Sequence, residues 1–124
     1  MAAPERGDLV WIDFDPQAGH EQAGRRPALV LSPRSYHQKT RFVIVCPVTS
    51  TRKGYPFEVP LPDGLRVAGV VLADQVKSID RRARRIEPAG KAPDSVVEDV
   101  VARLLPLLRQ SDAPSPGEAP DLGG

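Results

Sequence analysis

Fourteen prolines among 124 residues set the first limit on what this chain folds into. Each proline fixes φ and removes a backbone donor, so a chain interrupted this often favours short strands and turns over long helices. The stretches between the prolines agree. "GDLVWIDFD" alternates, with Val10, Ile12 and Phe14 on one face and Leu9, Trp11 and Asp13 on the other, which predicts a first strand. "PQAGHEQAGRR" has two glycines and no apolar period and reads as a long loop. Pro27 then opens "PALVLS", a second strand buried on both faces. "PRSYHQKT" reads as a turn-rich connection, "RFVIVCPVT" as a third strand and "STRKG" as a loop. "YPFEVPL" alternates through Tyr55, Phe57 and Val59, and its prolines predict an edge strand. After the turn signal "PDG", "VAGVVLADQV" reads as one strand with a bend or bulge at Gly69. "SIDRRARR" predicts one helical turn before a short last strand near Arg85 to Glu87.

The period then changes. In "APDSVVEDVVARLLPLLRQ" the apolar residues Val97, Val100, Val101, Leu104, Leu105 and Leu108 recur at helical spacing. Ser95 and Glu98 match a capping box, Pro93 suits a first turn, and Pro106 predicts a kink or an end. "SDAPSPGEAPDLGG" is acidic and rich in proline and glycine, which predicts a disordered tail. The expectation is a mainly β chain of five to seven short strands, a small barrel-like sheet packed on a C-terminal helix, with residues 1–110 as its one domain and 111–124 as the tail.

Hydrophobic residues make up 40%, enough for a core. The single cysteine, Cys46, excludes an internal disulfide framework, and no Cys/His spacing suggests zinc. The first residues lack a signal-peptide core, and no apolar run approaches about 18 residues. A cytoplasmic protein with no membrane segment, no metal and no cofactor is expected. The net charge of +1 hides an asymmetry: residues 1–19 carry one basic and four acidic side chains, residues 20–85 thirteen and five, and residues 86–124 three and seven. A basic middle of +8 between acidic ends can present one positive face to an anionic partner.

"GHEQAGRRPALVLS" condenses the question of function. A glycine-punctuated segment with one carboxylate, Glu21, ends in two adjacent guanidiniums, Arg25 and Arg26, at the mouth of a core strand. A solvated loop and an anion site both fit that pattern.

Four blocks in order resemble the MazF/PemK toxins, which are ribosome-independent mRNA interferases: "RGDLVWIDFDPQAG", "HEQAGRRPALVLS", "CPVTSTRKGYPFEVPL" and "VVLADQVKSIDRRARR". The resemblance is colinear from about Arg6 to Gln110 and leaves out the acidic tail. It implies an SH3-like barrel with a C-terminal helix and a homodimer that binds single-stranded RNA along its dimer face. It further implies metal-free cleavage that leaves a 2′,3′-cyclic phosphate and a 5′-hydroxyl. The implied second partner is a cognate antitoxin that lays an acidic, partly disordered segment over the same surface. The motif positions carried over are Arg26, Thr49 and Glu21. Some family members carry an arginine two residues before the aspartate of the D-Q block; here that position is Leu72, before Asp74.

The implied chemistry suits these residue types. The ribose 2′-OH attacks its own phosphodiester, so proximity is supplied by the substrate and the protein positions and stabilises. A guanidinium donates two parallel hydrogen bonds to phosphate oxygens and stays charged, which fits Arg26. The Thr49 hydroxyl can hold a non-bridging oxygen. Glu21 either accepts the 2′-OH proton or orients Arg25 or Arg26 by an ion pair. His20 and His37 invite a ribonuclease-like reading but fall in stretches read as surface loops, and the family motif does not require them. Further candidate RNA contacts are His20, Gln22, Arg25, Ser50, Thr51, Arg52, Lys53, Asp74, Gln75, Lys77, Ser78, Arg81 and Arg84, to phosphates or to base edges. Trp11, Tyr55 and Phe57 could stack on bases, although Trp11 and Phe57 read better as core or interface. Two other functions remain open: a non-enzymatic toxin like the gyrase poisons of related barrel, and a catalytically dead RNA-binding module, to which Leu72 lends weight.

Overall fold

The alternation of "GDLVWIDFD" becomes two separate cores. In the structure, a computed structural model that describes residues 3–14 and 24–109, this segment forms β1 (Asp8–Phe14). It is followed by β2 (Gly24–Val30), the short helix α1 (Arg34–Lys39), β3 (Phe42–Thr49), β4 (Glu58–Pro60), β5 (Val70–Leu72), β6 (Lys77–Asp80), β7 (Ile86–Lys91) and α2 (Asp94–Arg109). The strands pair antiparallel in the order β4-β5-β3-β2-β1-β7, with β6 added on β3. This is the expected barrel-like, mainly β sheet with a C-terminal helix, although its ladder does not close into a ring among the described residues.

Alternate residues of β1, β2 and β3 point to opposite faces. Leu9, Leu29, Cys46 and Val48 go to one core, which Val96, Val97 and Val100 of α2 also fill. Val10, Ile12, Ala28, Val30, Val43 and Val45 go to the other, with Ile79 of β6. Leu9, Leu29, Val43 and Val100 are wholly buried, each contributing about 1.5–3 kcal/mol of hydrophobic stabilisation. Burial of "ALVLS" on both faces is borne out, and Trp11 and Phe57 pack half-buried against the first core.

Several expectations are corrected. β2 begins at Gly24 rather than at Pro27, so Arg25 and Arg26 belong to a strand. β3 pairs with β2 only from Ala28 onward, and Pro27 therefore sits where a missing donor is tolerated. Of "VAGVVLADQV" only Val70–Leu72 form a strand, β5, and β6 begins after the stretch, at Lys77. In "SIDRRARR", Ser78–Asp80 lie in β6, and the single turn that follows is closed by the N–H groups of Ala83 at 3.1 Å and Arg84 at 3.2 Å on the Asp80 carbonyl, one helical turn that does not continue. The last strand is longer than expected and runs to Lys91.

"PRSYHQKT" contains a helix, because tertiary contacts capture it. Arg81, in the turn just after β6, donates from its guanidinium to the carbonyl oxygens of His37 and Thr40 and so satisfies the open C-terminal end of α1. His37 is not in a surface loop but only 1% exposed. Its Nδ1 lies 2.7 Å from the Pro4 carbonyl, which can only accept, so Nδ1 carries the proton. Nε2 then accepts from the Ser32 hydroxyl at 2.6 Å, and Ser32 Oγ accepts from the Ile44 N–H at 2.8 Å. This relay ties the N-terminal segment to β3 and consumes both ring nitrogens.

α2 begins at Asp94, so Ser95 lies inside its first turn instead of capping it. The helix runs through Pro106 to Arg109; the proline removes one donor a turn before the end and does not stop it. The inward stripe is Val96, Val97, Val100 and Leu104, whereas Val101, Leu105 and Leu108 face solvent.

Candidate active site

The two arginines of "GRRPALV" part company because a strand alternates. Arg26 pairs with Ile12 and Arg25 with Asp13, so their side chains leave opposite faces of β2. Arg25 is tied down: its guanidinium donates to Glu87 at 2.6 Å, lies 3.8 Å from Asp13 and covers the Trp11 ring at 5.5 Å. Glu87 also receives Arg85 at 2.9 Å. Arg26 has no hydrogen bond or ion pair among the described residues and is exposed.

Arg26 opens onto a cleft of about 290 Å³ whose walls include Thr49, Leu72, Gln75 and Lys77 and whose floor is Ile12, Ala28 and Val45. The sheet register explains the meeting of Arg26 and Thr49. Ala28 faces Pro47 across β2 and β3; two residues back along β2 is Arg26, and two residues on along β3 is Thr49, on the same side. Thr49 Oγ1 accepts the Thr51 N–H at 3.1 Å, which occupies a lone pair and leaves the hydroxyl hydrogen to donate into the cleft. Thr49 also pairs with Val70, and this close approach depends on Gly69, at φ +127°. A Cβ there would run into the Thr49 carbonyl, with its carbon only 2.8 Å away.

A second cleft of about 260 Å³ continues from the first through Thr49, Leu72 and Gln75, and is bounded by Thr51, Lys53, Tyr55 and Glu58. Together the two make one groove across the ends of β2, β3 and β5. Leu72 lies in both parts, so the position at which some family members carry an arginine falls inside this site and is apolar here.

Of the sequence-predicted residues, the groove brings together Arg26, Thr49, Thr51, Lys53, Gln75 and Lys77. Ser50 and Arg52 are exposed on the same loop without lining either cleft, and Asp74 is likewise exposed and lines neither. Ser78 alternates with Lys77 and points to the other side of β6. Arg25 and Arg81 are committed to the contacts described above, and half-buried Arg84 has interactions of its own. His20, Glu21 and Gln22 lie outside the described residues, as does the tail 111–124. The larger hollow of about 430 Å³ lies at the end of α1, among Lys39, Arg41, Arg81 and Arg82. There Arg41 is paired with Asp80 at 3.1 Å and Arg81 serves the helix end, so it has fewer free donors than its charge suggests.

Burial pushes the Cys46 thiol up to about 12, with the charge of Asp74 adding to the effect, so this cysteine is no nucleophile. His37 is held below its ordinary value, mainly by burial, and stays neutral. Neither group takes part in the groove.

Sequence reasoning missed Glu58. It occupies the outward position of an alternating strand, yet it is 7% exposed and accepts the backbone N–H groups of Lys53 at 3.0 Å and Gly54 at 2.9 Å. The signal was a lone acid within an otherwise apolar or proline-bounded run directly after a glycine-containing loop.

Comparison with known proteins agrees with this geometry. A family model described as PemK-like, MazF-like toxin of type II toxin–antitoxin system matches residues 5–108. The endoribonuclease toxin MazF of Escherichia coli (strain K12) is 49% identical over 105 residues, covering 85% of this chain and 94% of that protein. The endoribonuclease PemK of Escherichia coli is 38% identical over 108 residues, covering 84% and 81%. Among solved structures, a MazE-MazF crystal structure from Deinococcus radiodurans superposes with a TM-score of 0.81 at 56% identity, covering 88% of this chain and 98% of that one. The chain belongs to the PemK-like, MazF-like toxins of type II toxin–antitoxin systems, a family whose compared members are named endoribonucleases.

Proposed function

We propose that the groove is the cleavage site of an endoribonuclease toxin that cuts single-stranded RNA at specific sequences, without a metal and without the ribosome, and thereby stops translation and growth. The carrying observation is that Arg26 and Thr49, on neighbouring strands, open into one cleft and that Arg26 has no partner among the described residues. Arg26 donates to the non-bridging oxygens as the 2′-OH attacks phosphorus, and its charge offsets the developing dianion. The Thr49 hydroxyl holds a second oxygen. The P–O5′ bond breaks and the leaving oxygen takes a proton, from Arg26 or from solvent, which leaves a 2′,3′-cyclic phosphate and a 5′-hydroxyl. Glu21 is the proposed acceptor of the 2′-OH proton. Lys53 and Lys77 at the two ends of the groove supply the sequence-independent attraction for the backbone.

Two partners follow. A homodimer extends the groove across a second copy, and the exposed Val101, Leu105, Leu107 and Leu108 of α2 offer apolar area for association. An acidic antitoxin fits the positive groove in place of RNA; the Deinococcus relatives crystallised as MazE-MazF complexes support this reading.

The test is to incubate a long unstructured RNA with the purified protein in EDTA. Cleavage is expected, and Arg26→Ala is expected to abolish it with the circular dichroism spectrum unchanged. Intact RNA with the wild-type protein, or full activity in Arg26→Ala, contradicts the proposal.

A further inference from the structure

The second cleft holds a feature that phosphate binding does not need: a buried carboxylate at a site for RNA. Glu58 is 7% exposed and lines the cleft beside Thr51, Lys53 and Tyr55. A carboxylate repels a phosphate oxygen placed against it and accepts N–H groups instead. From these residues we propose that the cleft next to Thr49 is a nucleobase subsite selecting a base with an exocyclic amino group; this rests on the RNA-cleavage reading above.

The carboxylate is both architect and reader. Its Oε1 accepts Gly54 N–H at 2.9 Å and Lys53 N–H at 3.3 Å, and its Oε2 accepts Lys53 N–H at 3.0 Å. These bonds fold the loop after β3 back over the cleft and set the positions of Thr51, Lys53 and Tyr55. An ionised carboxylate offers about four lone-pair sites and no donor. Three contacts leave capacity on Oε2 for one more N–H. Adenine and cytosine present an amino group on their pairing edge, and guanine presents an amino group beside a ring N–H. Uracil presents its one N–H between two carbonyl oxygens, which face the carboxylate with like partial charge. Glu accepting from the cytosine amino group is an established pairing in direct readout.

The side walls suit a base. Tyr55 is 57% exposed, and Lys53 Nζ sits over its ring at 6.0 Å, so one face of the ring is covered by a cation while the other is available for stacking. Gln75, shared by both clefts, brings an amide that can donate and accept at a base edge. Single-stranded RNA is read in this way, by splayed bases stacked on aromatics and bonded along their edges.

The test uses a pool of RNA randomised in sequence, cleaved to low extent and sequenced from its 5′ ends. Wild-type protein is expected to disfavour uracil about tenfold or more at one position within a few nucleotides of the cut. Glu58→Gln, whose amide can donate to a carbonyl oxygen, is expected to admit uracil there; a role limited to holding the loop would lower the rate without changing that preference. Should Glu58→Gln fail to fold, exposed Tyr55→Ala decides: KM is expected to rise about ten- to a hundredfold with kcat changed far less. Cleavage in which uracil is used evenly at every nearby position overturns the subsite alone, as does a folded Glu58→Gln with unaltered preference or a Tyr55→Ala with unaltered KM. No cleavage by the wild-type protein at all overturns the RNA reading and the subsite together.

Discussion

Gly69→Ala isolates how the fold places Thr49. Gly69 adopts φ +127°, and an added Cβ meets the backbone of Thr49 and Ser50, which has no flexible end to move aside. Holding a non-glycine residue in that region costs about 1–3 kcal/mol. Forcing a methyl into a packed backbone contact adds about 1–3 kcal/mol. Gly64→Ala is the control: Gly64 has φ +91° but nothing within 4 Å of the added methyl, so only the first cost applies. Urea unfolding of both variants at the same pH should show Gly69→Ala less stable than Gly64→Ala by about 1–3 kcal/mol. If Gly69→Ala relieves the clash by shifting β3, Thr49 leaves its position, and a displacement of about 1 Å costs on the order of 10²-fold in cleavage rate. Gly64→Ala should cleave normally. Equal stability and equal cleavage rates in the two variants would refute the claim that the approach of β5 sets the Thr49 position.

Arg25→Ala should retain most cleavage activity, because Arg25 faces Glu87 and Trp11 on the opposite side of β2 from Arg26; a loss comparable to that of Arg26→Ala in initial-rate assays would show that both arginines serve the groove. His37 sits below its unfolded value of about 6.5, so below that pH the unfolded chain binds the extra proton. Stability should therefore fall as pH drops through about 6.5 toward the folded value, by at most about 1.4 kcal/mol per pH unit from this group, and His37→Gln should lose that component of the slope when urea midpoints are compared at pH 7.5 and 5.5. Identical slopes would count against the buried relay. Cys46, buried and raised to about 12, should react with a thiol reagent at pH 8 only after denaturant is added, and rapid labelling of the native protein would contradict its placement.

Local periodicity made much of the fold readable. β1 follows from strict alternation, and "ALVLS" reads as buried on both faces because no polar residue interrupts it until Ser32. What sequence alone did not yield depends on contacts distant along the chain. α1 forms because Arg81 caps it from the turn after β6, and His37 is buried because Pro4 and Ser32 consume its two nitrogens. Arg25 and Arg26 look alike as neighbours in a loop; they differ only once β2 is seen to start at Gly24 and to send them to opposite faces. The candidate site was legible by resemblance at Arg26 and Thr49, whereas the burial of Glu58 depends on the backbone N–H groups of Lys53 and Gly54, which only the folded loop brings to it. The exposed half of α2 follows from helix geometry: Val96, Val97, Val100 and Leu104 centre the buried face, which turns Val101, Leu105 and Leu108 outward.

The most direct test of the central claim concerns the attacking group. An RNA oligonucleotide containing a mapped cleavage site is prepared in two forms, one all-ribose and one with a single 2′-deoxy nucleotide 5′ to the scissile phosphate. The account predicts that the all-ribose RNA is cut in EDTA to a 2′,3′-cyclic phosphate and a 5′-hydroxyl, and that the deoxy form is left intact although it still competes for binding. Cleavage of the deoxy form at the same bond, or a 5′-phosphate on the product, would contradict it.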